Sequence, residues 1–236
     1  MSDQLKSIAF SALVALVCSL MLTAAASGLK ERKQRNVAVD RQKNILKSVG
    51  LVDPGTEVAV ARIERLYEDN IRCYALDGTG DIVAADAKHD GLPVCFYVQA
   101  GQPEAYILPV DSRGLWGKIR GYMAIENDGK TVAGFSVYSH NETPGLGGEI
   151  EKPWFQENFI GKRIVDKAGN FSPVRIAKGK AADGVAPDKL PNVVDGISGA
   201  TLTGKYLSGG LEDLLQEYEP LSRQFRDGAV TLPAGS

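Results

Sequence analysis

The sequence predicts an α+β domain behind a single N-terminal transmembrane helix, and three observations support this fold class. An uncharged segment opens the chain, short β-rich runs separated by glycine and proline occupy its middle, and an amphipathic segment closes it. The composition, with 44% hydrophobic and 24% charged residues, is ordinary for a folded protein. Neither an internal repeat nor a clear linker follows residue 50, so one domain is the simplest account of the remainder.

The opening segment, "IAFSALVALVCSLMLTAAA" from Ile8 to Ala26, contains no charge and no proline. At a rise of about 1.5 Å per residue, a helix of this length roughly matches the hydrocarbon thickness of a bilayer. A cleavable signal peptide is the competing interpretation, because "TAAAS" ends in the small residues that signal peptidase accepts. The segment is long for a signal core and basic residues follow it at once, which favours an uncleaved anchor.

On this interpretation the chain divides into an anchor over residues 1–29, a juxtamembrane helix or linker over 30–50 and a folded domain over 51–236. The positive-inside rule, applied to the basic flank after the anchor, predicts a cytoplasmic domain. The basic residues of this flank are Lys30, Arg32, Lys33 and Arg35.

The net charge of −2, with no basic run interleaved with aromatic residues, predicts no nucleic-acid partner.

Two helices are expected after the anchor, the first over "RNVAVDRQKNILKSVG" in the juxtamembrane segment and the second over "TEVAVARIERLYEDNI" in the domain. A sheet follows. Its strands are expected in "RCYALD", "DIVAAD", "PVCFYVQ" and "EAYILPV", and "KIRGYMAIENDGKTVAGFSVYSH" has the outline of a hairpin turning at Asp128-Gly129.

The last third of the chain predicts a short helix opened by Pro153 in "KPWFQENFIGKRI", a strand in "PVRIAKG" and a loop over "AADGVAPDKLPN". One closing helix is expected over "LTGKYLSGGLEDLLQEYEPL". An apolar stripe of leucines supports it, and its members are Leu207, Leu211, Leu214 and Leu215.

The cysteines Cys18, Cys73 and Cys95 are far apart and form no CxxC pair, so neither a zinc nor an iron–sulfur site is expected. Cys73 and Cys95 both lie in strand-like segments and could meet across a sheet, as thiols or as a disulfide. We expect buried thiols, because free cysteine behaves as a small apolar side chain.

The segment "DGISGATLT", residues 195–203, combines small and hydroxyl side chains immediately before the closing helix. A helix N-terminus exposes unpaired backbone N–H groups and a partial positive charge, so it stabilises a phosphate. Gly199 and Ala200 remove bulk there, while Ser198 and Thr201 offer hydroxyls. The alternative is an ordinary N-cap, for which serine, threonine and aspartate are the common residues.

Two further segments are candidates for ligand contact. "SHNETPGLGGEIEKPW", residues 139–154, is neither a dinucleotide fingerprint nor a P-loop, but its glycine-rich loop could lie against a flat ring, and a turn without a ligand is the alternative. Trp116 lies between glycines in "RGLWGKIRGYMAIE", where its indole could stack on a planar group, although most tryptophans are largely buried.

Two functions of other classes remain open from the residues alone. Ser198 or Thr201 could be the nucleophile of a hydrolase or acyltransferase, but only His89 and His140 could serve as imidazole bases, and no G-x-S-x-G elbow is present. A membrane-anchored binding or assembly module without a cofactor is the second alternative.

Taken in order, "GLWGKIRGYMAIE", "SHNETPGLGGEIEKPWF" and "DGISGATLT" behind one membrane helix resemble the family of C subunits of the sodium-translocating NADH:quinone oxidoreductase. The G subunit of the Rnf electron-transport complex is a related FMN-binding family. The resemblance covers nearly the whole chain. It implies a flavoprotein subunit that relays electrons one at a time on the path from NADH to quinone, with FMN joined through a phosphoester to the threonine that matches Thr201.

The resemblance further implies that a flavin transferase installs the FMN from FAD, that other membrane and peripheral subunits are partners, and that the flavin domain lies on the periplasmic side of the bacterial inner membrane. The topology implied by the resemblance therefore differs from the one predicted by the positive-inside rule, and we follow the resemblance. It implies no metal site. The cofactor-binding residues expected from the matched motifs are Trp116, Glu142, Thr143, Gly145, Leu146, Gly147, Asp195, Ser198, Gly199, Ala200, Thr201, Leu202 and Thr203.

Overall fold

A computed structural model describes residues 3–84 and 91–233 of the chain. It divides into two compact units, Met1–Asp40 and Arg41–Ser236. Helix α1 runs from Asp3 to Ser48. Its residues up to Asp40 belong to the first unit, and its last turns belong to the second. A window of this helix has a mean hydropathy of 2.3 and is not buried by the rest of the protein, so α1 is long and apolar enough to cross a membrane.

The second unit is built on a six-stranded antiparallel sheet of order β2-β1-β3-β4-β5-β6. Its strands confirm the expected β-rich runs and the hairpin. The turn of that hairpin places Gly129 at a φ of +64°, and Asp128 accepts hydrogen bonds from the amides of Lys130 and Thr131. The strands are Ile71–Leu76 (β1), Ile82–Ala84 (β2), Leu92–Gln99 (β3), Gln102–Arg113 (β4), Lys118–Glu126 (β5) and Val132–Ser139 (β6).

Helices contribute the remaining layers of this unit. The long α5 supplies three leucines that are fully buried in the main core together with strand residues such as Phe96, Met123 and Phe135. A two-stranded parallel ladder of β7 and β8 lies outside the main sheet. The elements are α2 (Val60–Asn70), α3 (Pro153–Gln156), β7 (Arg175–Ile176), α4 (Ala181–Gly184), β8 (Val193–Val194), α5 (Thr201–Glu217) and α6 (Glu219–Arg226).

The opposite face of the sheet is covered by the end of α1. Phe135 belongs to the main core, and side chains alternate between the two faces of a strand, so Ser136 points the other way. There its hydroxyl donates to the carbonyl of Asn44 at 2.9 Å, and Ile45 and Leu46 are buried. The packing of the second unit thus begins at Arg41, ten residues before the expected domain boundary, because the last turns of α1 lie on the sheet.

Two expectations about the last third of the chain are wrong in detail. The single closing helix is divided at Tyr218 into α5 and α6, because Pro220 in the first turn of α6 has no N–H and its ring is incompatible with a helix interior. The expected loop over residues 181–192 contains α4 and a 3-10 turn at Leu190–Asn192.

The expectation that Cys73 and Cys95 are buried thiols is also wrong, since they form a disulfide. The antiparallel register of β1 and β3 sets the two residues directly opposite each other, with their Cα atoms 4.0 Å apart. Neither lies in the core: Cys73 is exposed and Cys95 half-buried. The hydroxyl of Tyr67 in α2 lies 3.2 Å from the sulfur of Cys73, so this helix packs over the disulfide.

Candidate functional site

The three segments singled out in the sequence meet at one open cleft of about 210 Å³. The β4–β5 loop, the loop after β6 and the start of α5 form its walls. Sequence reasoning missed Leu115, although its position beside Trp116 was a usable signal. The cleft is lined by Leu115, Trp116, Glu142, Thr143, Gly147, Gly199, Ala200, Thr201, Leu202 and Thr203.

Glu142 connects all three walls of the cleft. Only 4% of it is exposed, and its two carboxylate oxygens have different partners. Oε1 accepts a hydrogen bond from the backbone N–H of Trp116 at 3.0 Å, and Oε2 accepts one from the hydroxyl of Thr203 at 2.5 Å. A single buried side chain in the loop after β6 therefore holds both the β4–β5 loop and the first turn of α5.

Two glycines of the motifs make room for this carboxylate. A Cβ placed on Gly114 would lie 2.5 Å from Glu142 Oε1. A Cβ on Gly147 would lie 2.6 Å from the hydroxyl of Thr203 and 2.7 Å from Glu142 Oε2. A carbon atom this close to these oxygens would displace the Glu142 or Thr203 side chain, so glycine at both positions permits the observed arrangement.

Helix α5 begins without a side-chain cap. The N-cap residue is Ala200, and no side chain forms a cap hydrogen bond there, so the expected alternative of an ordinary serine, threonine or aspartate cap is wrong. The first intrahelical bond at this end runs from Gly204 N–H to the Ala200 carbonyl at 3.1 Å. The preceding amides and the positive end of the helix dipole are therefore directed toward the cleft.

The two threonines of the first turn have opposite environments. Thr203 is 1% exposed and its hydroxyl donates to Glu142, whereas Thr201 is exposed at the first helical position. Gly199, two residues earlier, has a φ of +75°, a conformation that favours glycine. A Cβ at that position would also lie 2.8 Å from Leu146 Cδ2. Of the two threonines, Thr201 is therefore the one that is accessible to solvent and to a large reactant.

Apolar side chains surround the cleft and remain in contact with solvent. Trp116 is 68% exposed, which agrees with the stacking interpretation rather than with a core tryptophan. Leu115, Leu146 and Leu202 are each 40% exposed or more. Exposed apolar side chains concentrated around one cleft are typical of a binding surface.

Some expected site residues do not line the cleft. The carboxylate of Asp195 accepts a hydrogen bond from Ala181 N–H at 2.7 Å, at the start of α4. Ser198 and Gly145 are exposed beside the cleft, and Gly145 has a φ of +74°. Leu146 does not line the cleft, but its side chain lies next to Gly199, where an added Cβ would be 2.8 Å from Leu146 Cδ2.

The imidazole candidates do not form a nucleophile–base pair in the described part of the chain. His140 Nδ1 accepts from the Glu142 N–H at 3.1 Å, and its Nε2 lies 3.2 Å from Glu151, so both nitrogens have partners within one loop. His89 lies outside the described residues. Among residues 3–84 and 91–233, no group of three or more His, Cys, Asp or Glu side chains could hold a metal ion.

Similarity to known proteins agrees with this geometry. Residues 114–216 match the FMN-binding domain family, a range that contains every wall of the cleft. The chain is 36% identical to the C subunit of the Na(+)-translocating NADH-quinone reductase of Yersinia pestis, with 92% of this chain and 91% of that protein aligned. It is 33% identical to the C subunit of the same reductase from Pseudomonas aeruginosa, over 86% of each chain.

Solved structures give the same result. The crystal structure of the C subunit of the Na(+)-translocating NADH-quinone reductase from Parabacteroides distasonis superposes with a TM-score of 0.70 and 30% identity, covering 82% of this chain and 96% of that one. Shewanella oneidensis NqrC, at 24% identity and a TM-score of 0.64, supports the fold. The chain therefore belongs to the family of C subunits of the Na(+)-translocating NADH-quinone reductase, an oxidoreductase complex.

Proposed function

We propose that Thr201 carries FMN through a phosphoester bond and that the domain relays electrons, one at a time, between other redox centres of a sodium-pumping NADH:quinone oxidoreductase. The observation that carries this proposal is the environment of Thr201. Its hydroxyl is exposed at the uncapped start of α5, inside a cleft whose rim is apolar, while the neighbouring Thr203 hydroxyl is buried and occupied.

The start of α5 suits a phosphate group. The amides of its first turn have no side-chain cap, and they lie at the positive end of the helix dipole. Gly199 and Ala200 keep the approach free of bulk, so a phosphodiester on Thr201 can lie against the backbone. A negatively charged phosphate is therefore stabilised here without a lysine or arginine ligand.

The rim of the cleft suits a planar ring. Trp116 offers an exposed aromatic face, and Leu115, Leu146 and Leu202 add apolar surface. The cleft is smaller than the roughly 300–1,000 Å³ of pockets that enclose a ligand, so a ring here remains near the surface. That position favours exchange with other redox centres, and a covalent bond prevents loss of the exposed group by dissociation.

Bound FMN supplies the redox chemistry, while the protein supplies position and electrostatics. Trp116 and the leucines orient the ring and exclude water from one side of it. The N–H groups of α5 hold the phosphate. Glu142 keeps the walls together and places a negative charge on the cleft lining, which disfavours added negative charge on the ring.

The first helix and the disulfide support the proposed anchoring and topology. Helix α1 anchors the chain in the bacterial inner membrane by a single pass, and the domain lies in the periplasm. The Cys73–Cys95 disulfide supports this side, because disulfides persist in the periplasm and are rare in the cytosol. The basic flank after the apolar segment opposes it, but the positive-inside rule is statistical.

The partners are the other membrane and peripheral subunits of the complex and, during maturation, a flavin transferase that uses FAD. The alternatives are the equivalent flavin subunit of an Rnf-type complex and a cofactor-free anchored module. The high coverage of relatives named as C subunits of the reductase favours the sodium pump over the Rnf complex. The uncapped helix start beside an apolar cleft favours a cofactor over the bare module.

The test is covalent flavin retention. The full chain is expressed with a flavin transferase, run on a denaturing gel and weighed by intact-mass spectrometry. We expect a fluorescent band and one added flavin nucleotide for the wild type and Ser198→Ala. Thr201→Val, which loses only the hydroxyl, should give neither. Fluorescence that persists in Thr201→Val, or a bare polypeptide mass for the wild type isolated from its native host, would refute the proposal.

A further inference from the structure

Both oxygens of the Glu142 carboxylate have hydrogen-bond partners within the protein. Oε1 holds the Trp116 amide and Oε2 holds the Thr203 hydroxyl, and the side chain is 4% exposed. Each oxygen thus has a protein partner, and the low exposure leaves little room for a ligand to bind the carboxylate directly. Its contribution to the shape of the cleft is therefore exerted through Trp116 and Thr203, the residues that it holds.

Burying a carboxylate is costly unless its partners and surroundings compensate. Here two hydrogen bonds and the positive end of α5 offset that cost, and two glycines, Gly114 and Gly147, are needed to admit the group. An apolar side chain could join three loops without these requirements. The combination points to a need for fixed geometry rather than for stability alone.

We propose that Glu142 is a positioning residue that fixes the first turn of α5 against the β4–β5 loop, and so orients the Thr201 hydroxyl for flavin attachment. This inference rests on the proposed function, because it takes Thr201 as the acceptor. Thr203 lies two residues after Thr201 in the same helical turn. Anchoring the Thr203 side chain to Glu142 sets the rotation of this turn, and the Thr201 side chain is left on the solvent side.

The step that depends on this orientation is a transfer with FAD as the donor. The oxygen of Thr201 forms a bond to the phosphorus on the FMN side of FAD, the bond to the bridging pyrophosphate oxygen breaks, and AMP leaves. The hydroxyl proton goes to a base of the transferase or to solvent. Displacement of the acceptor by about 1 Å can cost roughly a hundredfold in rate, so a loosened first turn should slow this step.

The experiment compares rates of flavin incorporation into the purified full chain in detergent, with FAD and the flavin transferase. Thr203→Val removes the hydroxyl that donates to Glu142. Thr131→Val is the matched control, because its hydroxyl donates to the Asp128 carboxylate at 2.6 Å, at the opposite end of β5. We expect Thr203→Val to slow labelling by about tenfold to a hundredfold and Thr131→Val to label at the wild-type rate.

A second pair separates geometry from folding. Glu142→Ala should slow labelling at least as much as Thr203→Val. Glu142→Gln should restore most of the lost rate, because its amide oxygen can accept from Trp116 N–H while its NH₂ donates to Thr203. Thermal unfolding curves give the folded fraction of each variant at the assay temperature, and labelling rates are compared per folded molecule.

Hydrogen exchange provides a readout that needs no flavin. The Trp116 amide should exchange slowly in the wild type and rapidly in Glu142→Ala, with little change in Thr131→Val. Unchanged exchange at Trp116, or wild-type labelling by folded Glu142→Ala and Thr203→Val, would overturn the inference. If the wild-type protein takes up no flavin at Thr201 but shows the expected exchange pattern, the proposed function is refuted. The hydrogen bonds by which Glu142 holds Trp116 and Thr203 are not.

Discussion

The hydroxyl of Thr203 donates a hydrogen bond to the carboxylate of Glu142 across 61 positions of sequence. This contact explains why two threonines that are close in one motif differ so much. Thr203 is buried by this contact, whereas Thr201 remains exposed to solvent. The motif provides both threonine hydroxyls, and the contact with Glu142 leaves Thr201 as the exposed residue of the two.

The charge of Glu142 should lower the reduction potential of a flavin bound in the cleft, because reduction adds negative charge to the ring. Glu142→Gln preserves the shape of the side chain and removes the charge, so we expect the potential to rise. A charge interaction of about 1 kcal/mol corresponds to a shift of tens of millivolts. Spectroelectrochemical titration of wild-type and variant protein measures the difference, and an equal or lower potential in Glu142→Gln would contradict this expectation.

Two adjacent glycines in the middle of α5 should respond to alanine in opposite ways. A Cβ on Gly209 meets nothing within 4 Å, so Gly209→Ala should stabilise the protein by about 0.5–1 kcal/mol through helix propensity. A Cβ on Gly210 would overlap the side chain of Ser112 in β4, so Gly210→Ala should destabilise it by about 1–3 kcal/mol. Urea denaturation of the two variants provides the measurement, and each serves as the other's control. Equal midpoints would be inconsistent with the close packing of α5 on β4.

Local patterns in the sequence were sufficient to predict the strands and the Asp128-Gly129 turn, and the matched motifs identified the three segments that form the cleft. Each depends on residues that are neighbours in the chain or on a motif matched as a whole. The role of Glu142 was not predictable, because its partners Trp116 and Thr203 come from distant segments and only the folded sheet brings them together.

The contacts of two other groups were also not predictable, because they too depend on tertiary structure. The pairing of Cys73 with Cys95 depends on the register of β1 and β3, which no local pattern specifies. The carboxylate of Asp195, which the motif assigns to the cofactor, accepts a hydrogen bond from the amide of Ala181 at the start of α4, a contact that no local pattern indicates. A helix too short to be predicted thus determined the orientation of a motif residue.

The disulfide should contribute substantially to stability. It closes a loop with a sequence separation of 22, for which the chain-entropy model gives about 3 kcal/mol. Reduction, or the double substitution Cys73→Ser with Cys95→Ser, should therefore lower the urea midpoint. Cys18→Ser is the control, since Cys18 is a free and exposed cysteine of α1. A midpoint that reductant leaves unchanged would mean that the bond is absent or does not constrain the unfolded chain.

The side of the membrane on which the domain lies can be tested directly. The proposed periplasmic location predicts that a reporter enzyme active only outside the cytoplasm, fused after Ser236, is active in cells. The same reporter fused before Met1 should be silent if α1 crosses the membrane once, as proposed. Activity of the second fusion and silence of the first would show that the basic flank decides the topology, and would place the disulfide in a reducing compartment.

Alkaline pH should destabilise the domain through its buried tyrosines. Burial, followed by the neighbouring Tyr138 ring, raises the pKa of the Tyr122 hydroxyl to about 12 from its ordinary value of 10.0. Burial also raises the pKa values of Tyr106 and Tyr218. Because the protonated forms are favoured in the folded state, their contribution to stability is complete below about pH 10 and is lost as the pH rises toward the folded pKa values.

Urea midpoints measured between about pH 8 and pH 12 should therefore stay level and then fall. Tyr122→Phe cannot ionise, so the fall should be shallower in this variant than in the wild type. The difference is reduced by solvent screening, because Tyr122 is only half-buried. An alkaline slope identical to that of the wild type would mean that Tyr122 ionises as readily in the folded protein as in the unfolded chain, and that the contact with Tyr138 does not shield it.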